Sequence, residues 1–130
     1  AARHARELKH HGRIILGTDG PAGSGAQPLG MLRLISLLSS MAEIPAEEVF
    51  CYATGNTARV RGLNSGVIDI GRAADLTFID RAQHTAAADL LTSVQLGDIP
   101  CVGMVLIDGA IRCHRSRNTP PAMQVPTVSQ

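Results

Sequence analysis

The sequence predicts an α/β fold, with helices in the first half and a small sheet with one helix in the second. A short aliphatic run at residues 14–18 is typical of a buried strand. Apolar residues recur at helical spacing between positions 29 and 41. Two β-type runs flank the pair Asp108 and Gly109, which is typical of a hairpin turn. Because so small a β-unit is marginal alone, we expect its sheet to be completed by strands from elsewhere in a parent protein.

The first half is predicted to contain four helices and one strand. Gly12 and Gly62 stand where helices would end, whereas Pro28 and Pro45 suit the first turns of helices. Asn56 is predicted to cap the last helix of this half. The predicted bounds are 2–10, 28–42, 45–53 and 56–60 for the helices, and 13–17 for the strand.

In the second half, the apolar residues recur at a shorter spacing, which is typical of strands. Gly71 interrupts two β-type runs, and the Asp108 and Gly109 turn joins two more. The predicted strands are 66–70, 75–80, 101–107 and 110–114, with a helix at 86–96. The tail, residues 116–130, holds three of the seven prolines and no periodicity, so we expect an extended or disordered arm.

Composition excludes several classes of function. Twelve basic and eleven acidic residues give a net charge of +1, which is not the footprint of a nucleic-acid binder. No apolar run approaches the roughly 18 residues that span a bilayer, so we expect no membrane partner. Cys51, Cys101 and Cys113 are odd in number and widely spaced, which favours reduced thiols over a disulfide or metal site. We therefore expect a cytoplasmic protein.

The start of the chain has helix-forming composition without a capping segment before it, and residue 1 is Ala. We expect the chain to be the C-terminal part of a larger protein.

Asp19 is the candidate catalytic residue. It follows the aliphatic run directly, and chemistry in barrels of alternating strands and helices sits at the carboxyl ends of the strands. A turn or cap is the alternative role for an Asp after a strand. The loop that follows is rich in glycine, which permits close approach to a substrate, so Gly23, Ser24 and Gly25 are candidate substrate-binding residues. This loop lacks the lysine of a phosphate-binding loop and the Gly-x-Ser-x-Gly order of a nucleophile elbow.

Three further motifs carry a family resemblance that covers about residues 1–114. They are ATGNTARVRGL at 53–63, GVIDIGRAADL at 66–76 and VLIDG at 105–109. Together with the Gly-Thr-Asp that ends at Asp19, they resemble the C-terminal third of the amidohydrolase superfamily, metal-dependent hydrolases built on a distorted barrel. The match at 66–76 is the most specific of these.

The resemblance implies a fold and a domain organisation. Residues 1–63 would be the last strand and C-terminal helices of a distorted TIM (β/α)8 barrel. Residues 64–115 would supply strands and one helix to a composite β-sandwich domain, and residues 116–130 would be an extended tail. Asp75, within the 66–76 signature, is expected to fix a turn or a backbone hydrogen bond and not to bind metal.

The resemblance also implies a chemistry. Asp19 would be a metal ligand and proton shuttle, and the cofactor would be one or two divalent metals, zinc or iron. The family's His-x-His pair and its other ligands are absent from this chain, whose five histidines show no such spacing. We therefore expect the remaining ligands to lie outside this chain and the chain alone to be inactive.

Within the superfamily, the segments DGPAGSG at 19–25, GDIP at 97–100 and SRNTPPA at 116–122 resemble those of enamidases, which open a cyclic enamide. The implied substrate is a small cyclic amide, and we expect a homo-oligomer in the intact protein. A dipeptidase, a deaminase and a non-catalytic scaffold relative remain alternatives.

Overall fold

The computed structural model describes residues 1–20 and 28–128. Within these ranges the predicted mixture of helices and a small sheet is present. The helices and strands follow in the order α1 (Ala2–Glu7), α2 (Gly30–Ala42), α3 (Ala46–Ala53), α4 (Gly55–Arg61), β1 (Leu76–Asp80), α5 (Leu90–Gln95), β2 (Cys101–Ile107) and β3 (Ala110–Cys113). A 3₁₀ helix at His11–Arg13 follows α1. None of the described helices is long and apolar enough to cross a membrane.

The core of the helical layer lies among α2, α3 and α5. Its buried members are Ile35, Ile44, Val49, Tyr52 and Val94, with Ala46. Ile35 and Leu38 of the predicted apolar stripe of α2 face this cluster, together with Met31 and Ala42. Leu37 and Met41, which the spacing also placed on the stripe, are exposed. α3 begins directly after Pro45, with two glutamates in its first turn, where the helix dipole favours negative charge.

The described strands form one antiparallel sheet in the order β1-β2-β3. Ile107 and Ala110 are paired, so the loop between β2 and β3 has two residues, Asp108 and Gly109. Both have positive φ angles, 51° and 72°, which is the geometry of a type I′ turn. The predicted hairpin is therefore confirmed.

The C-terminal tail is an extended arm packed on the sheet. Ala122 is buried and forms an isolated antiparallel bridge with Ala82. The buried Thr119 accepts a hydrogen bond from the Val102 N–H through Oγ1 at 3.0 Å. The alternative of a disordered tail is wrong for residues 116–124, because these backbone contacts satisfy polar groups of the sheet.

Two predicted strands are not formed within the described residues. The strand predicted at 13–17 is absent, because Arg13 ends the 3₁₀ helix and residues 14–17 have no described strand beside them. A strand needs a partner to complete its hydrogen bonds. Residues 66–70 form a loop, because Gly66 and Gly71 have φ angles of 79° and 82° and turn the backbone at both ends.

The helix starts also differ in detail from the prediction. α2 begins at Gly30, two residues after Pro28, and Leu29 precedes it in a left-handed conformation. Thr54, and not Asn56, is the N-cap residue of α4, and Asn56 lies inside the helix. The predicted helix at 86–96 is shorter, because Asp89 caps α5 by accepting a hydrogen bond from the Thr92 N–H.

Candidate functional site

Asp19 lies at the end of the extended segment formed by residues 14–18. Ile14 and Leu16 pack against the helical core, while Ile15 keeps 36% of its surface exposed. The prediction of a strand buried on both faces is therefore wrong for the described chain, which covers only alternate residues of this segment. Asp19 is exposed and has a φ angle of 43°, a left-handed conformation that aspartate tolerates better than most residues.

Two groups from the α3–α4 junction hold this segment in place. The Leu16 N–H donates to the Tyr52 carbonyl oxygen at 3.1 Å. The Asn56 side-chain amide donates to the carbonyl oxygens of His11 at 3.1 Å and Ile14 at 2.9 Å. The backbone leading to Asp19 is thus tied to the helical layer at three points. Sequence reasoning missed this role of Asn56, since its partners lie 42 and 45 positions away.

The described residues do not by themselves form a metal centre. Across 1–20 and 28–128, no group of three or more His, Cys, Asp or Glu side chains could hold a metal ion. Asp19 is exposed and chemically suited to serve as one carboxylate donor, but a tight site needs about three or four protein donors. Gly23, Ser24 and Gly25, the candidate substrate-binding residues, lie outside the described residues.

Arg6, Glu48 and Tyr52 form a polar cluster between α1 and α3. Glu48 accepts from the Arg6 guanidinium at 2.9 Å and from the Tyr52 hydroxyl at 3.2 Å. The hydrogen bond from Arg6 lowers the pKa of Glu48, and Tyr52 adds to this shift. Burial, reinforced by Glu48, raises the pKa of Tyr52 to about 12. These contacts fasten α1 to α3 and give Glu48 a structural role.

The GDIP motif at 97–100 has a structural role. The Asp98 carboxylate accepts hydrogen bonds from the Thr85 hydroxyl and from the buried Ser93 hydroxyl, the latter at 2.8 Å. These bonds, Thr85 first, lower the pKa of Asp98. Asp98 thereby joins the end of α5 to the loop before it.

Asp75 also has a structural role, as predicted. Its Oδ1 accepts a hydrogen bond from the Asp108 N–H at 2.9 Å, and the neighbouring Ala74 carbonyl accepts from the Gly109 N–H at 3.0 Å. Two successive residues therefore hold the β2–β3 turn.

An apolar groove of about 420 Å³ lies between the helical layer and β1. Its walls include Ile35, Phe50, Ile68 and Leu76. Ile68 remains 88% exposed and Ile70, two residues on, 99% exposed. Two isoleucines close together in sequence thus present apolar surface to solvent in the described structure.

The described chain thus combines a helical layer of α1–α4, a segment that ends at the exposed Asp19, and a small antiparallel sheet. The profile of the Amidohydrolase family matches residues 2–112. The chain therefore belongs to the amidohydrolase family, and the predicted superfamily is confirmed.

Individual relatives refine this assignment. The chain is 44% identical to an enamidase of Eubacterium barkeri over 127 residues, 98% of this chain and 33% of that protein. It is 35% identical over 112 residues to a 5-methylthioadenosine/S-adenosylhomocysteine deaminase of Pyrococcus furiosus, covering 74% of this chain and 27% of the relative. The crystal structure of an enamidase superposes with a TM-score of 0.90 at 45% identity, over 95% of this chain and 32% of that one. The chain thus spans between about a quarter and a third of the length of the relatives it matches.

Proposed function

We propose that this chain is the C-terminal part of an enzyme that hydrolyses a C–N bond of a small cyclic amide, in the manner of an enamidase. The observation that carries the proposal is the exposed carboxylate of Asp19, at the end of an anchored segment, in a chain similar to an enamidase over 98% of its length. In this proposal the segment at 14–18 becomes the eighth strand of a TIM barrel, whose carboxyl end carries the chemistry.

Asp19 has two proposed roles, metal ligand and proton shuttle. The family's cofactor, one or two divalent metals such as zinc or iron, lowers the pKa of a bound water to about 7. The Asp19 carboxylate would accept a proton from the attacking water and then donate it to the leaving nitrogen. The remaining metal ligands would come from outside this chain, which explains why one carboxylate donor suffices here.

The proposed assembly also uses the open edge of β1 and the exposed loop at 66–70. β1 pairs only with β2 among the described strands, so its other edge is open beside the apolar groove. We propose that strands from outside this chain cover Ile68 and Ile70 and complete a β-sandwich of which residues 64–115 are one part. A homo-oligomer is proposed for the intact protein.

The test is Asp19→Asn in the full-length product of the gene. The amide keeps the shape of the side chain and removes the proton acceptor, so we expect hydrolysis to fall by about 10²–10⁴-fold. Asp69→Asn, another exposed aspartate, is the control and should leave the rate unchanged. An Asp19→Asn enzyme that kept more than about a tenth of the wild-type rate would contradict the proposal.

The glycine-rich loop after Asp19 is proposed to line the substrate pocket. A bulky residue in place of Gly23 or Gly25 should raise KM far more than it changes metal content, and Ser24→Ala should do so more weakly. Equal losses of metal and activity would instead give the loop a structural role.

A deaminase is the second candidate, because the chain is 35% identical to the Pyrococcus furiosus deaminase over 112 residues. The two candidates differ in substrate, so the assay decides between them. Ammonia release from an adenine nucleoside by the full-length protein, without ring opening of a cyclic amide, would favour the deaminase.

A further inference from the structure

Asn56 is held in a position that its place in the sequence does not predict. It lies in the first turn of α4, where its side chain does not cap its own helix. Instead the amide nitrogen reaches out of the helix to two carbonyl oxygens, those of His11 and Ile14, at 3.1 and 2.9 Å. One amide therefore uses both of its hydrogens on a separate piece of backbone.

These two carbonyl groups flank the point where the 3₁₀ helix ends and the extended segment begins. His11 starts the 3₁₀ helix, and Ile14 is its extended C-cap residue, with φ −79° and ψ 132°. The direction in which the segment leaves the helical layer is thus set where Asn56 binds. Two residues later the Leu16 N–H reaches the Tyr52 carbonyl, and three residues after that the chain reaches Asp19.

We propose that Asn56 is a positioning residue for Asp19, which fixes the path of the backbone that carries this carboxylate. The inference rests on the proposed role of Asp19. The two carbonyl oxygens that Asn56 binds lie where the segment begins, so its amide ties the start of the segment to α4 whether or not strands from outside this chain pair with the segment. A displacement of about 1 Å at a catalytic group can cost about 10²-fold in rate.

The test compares Asn56→Ala with Thr54→Val in the full-length protein. Thr54 is the matched control, because its hydroxyl bonds the Phe50 carbonyl within the helical layer and does not contact the segment. For Asn56→Ala we expect kcat to fall about tenfold or more and KM to change by a smaller factor, since the displaced Asp19 carboxylate acts on the attacking water. Thr54→Val should leave both constants within about twofold.

A double-mutant cycle shows whether Asn56 acts through Asp19. With Asp19→Asn already present, Asn56→Ala should lower kcat no further, since the group that it positions is gone. Additive losses would mean that Asn56 supports activity by another route and would overturn the proposal. So would an Asn56→Ala enzyme with kcat within twofold of wild type.

Hydrogen exchange separates this proposal from that for Asp19. Loss of the Asn56 amide should speed exchange of the Leu16 N–H by about tenfold or more, while amides inside α3 keep their protection. Unchanged exchange at Leu16 would overturn the anchoring. Full activity of Asp19→Asn would refute the role of Asp19 alone, since exchange at Leu16 does not depend on it. If Asn56→Ala does not fold, Asn56→Ser retains one donor, and an intermediate loss of kcat is expected.

Discussion

Asp75 reaches across 33 positions of sequence to accept a hydrogen bond from the Asp108 N–H at 2.9 Å. This bond links the residue just before β1 to the turn between β2 and β3. The bond thus joins the chain before β1 to the turn before β3, although β1 and β3 do not pair with each other in the described sheet.

Removal of this acceptor should destabilise the sheet. For Asp75→Ala we expect the free energy of unfolding to fall by about 1 kcal/mol, the value of a typical hydrogen bond. Asp75→Asn keeps an acceptor oxygen and should lose less. Urea unfolding of the full-length protein measures both. The control is Asp108→Asn, which suits the type I′ turn and should be nearly neutral. Equal stability of Asp75→Ala and wild type would show that the bond contributes nothing.

Gly66 should be intolerant of a side chain for two separable reasons. Its φ angle is 79°, and a Cβ there would lie 2.9 Å from both the Ala58 Cβ and the Thr54 carbonyl oxygen. Gly71, with φ 82° and no described atom within 4 Å of such a Cβ, is the matched control for backbone strain. We expect Gly71→Ala to cost about 1 kcal/mol and Gly66→Ala clearly more, because its clash adds about 1–3 kcal/mol. Thermal unfolding of both variants compares them, and equal losses would refute the close packing.

Tyr52 should titrate at unusually high pH. It is the only tyrosine in a chain without tryptophan, so absorbance near 295 nm reports it alone in residues 1–130. We expect a pKa of about 12 while the helical layer is folded. The same chain in urea should give about 10, the ordinary value. The pKa of Tyr52 is higher in the folded than in the unfolded chain, so the protonated hydroxyl contributes to the free energy of unfolding. This contribution is complete below pH 10 and is lost as pH rises towards 12.

Glu48→Gln provides the control for that titration. It removes the carboxylate that raises the pKa of Tyr52, but leaves most of the burial, so the midpoint should move only part of the way back. A midpoint near 10 in wild-type chain that retains helical circular dichroism would contradict the buried position of Tyr52.

Asp98 should make stability sensitive to acid. The hydroxyl groups of Thr85 and Ser93 lower the pKa of Asp98. The contribution of the ionised carboxylate to the free energy of unfolding is therefore present above the unfolded pKa, near 3.9. That contribution is lost as pH falls through the lower folded pKa. We expect Asp98→Asn to reduce stability by about 1 kcal/mol at pH 7 and by less at pH 3. Chemical unfolding at both pH values measures the difference, and Asp69→Asn is the control. A loss that grew towards pH 3 would contradict the assignment.

The exposed isoleucines should limit the solubility of the isolated chain. Ile68→Lys with Ile70→Lys should raise the soluble yield of residues 1–130, because it removes an apolar face from water. In the full-length protein the same pair should be destabilising, since the proposed sandwich would bury both positions. Val128→Lys, at a position 60% exposed in the tail, is the control and should change neither property. A full-length protein that tolerated the pair would contradict the proposed cover.

Residue types and short-range spacing were enough to predict some features of the fold and the candidate site, but not others. The turn at Asp108 and Gly109 and the structural role of Asp75 were predictable, because both depend on residue types at short range. The partners of Asn56 lie more than 40 positions away, so its amide looked like an ordinary cap. The segment before Asp19 has strand composition, but pairing depends on neighbours that composition cannot show. For the tail the sequence left an extended arm and disorder as alternatives, since the contacts of a proline-rich segment leave no periodic signal.

The C-terminal arm has a consequence for the gene. A deletion of residues 116–124 would remove none of the described helices or strands, because β3 ends at Cys113. It would nevertheless delete the buried Thr119 and Ala122, and with them the acceptor of the Val102 N–H. Alleles that lose only residues 116–124 should therefore be less stable, even though every described helix and strand is still encoded.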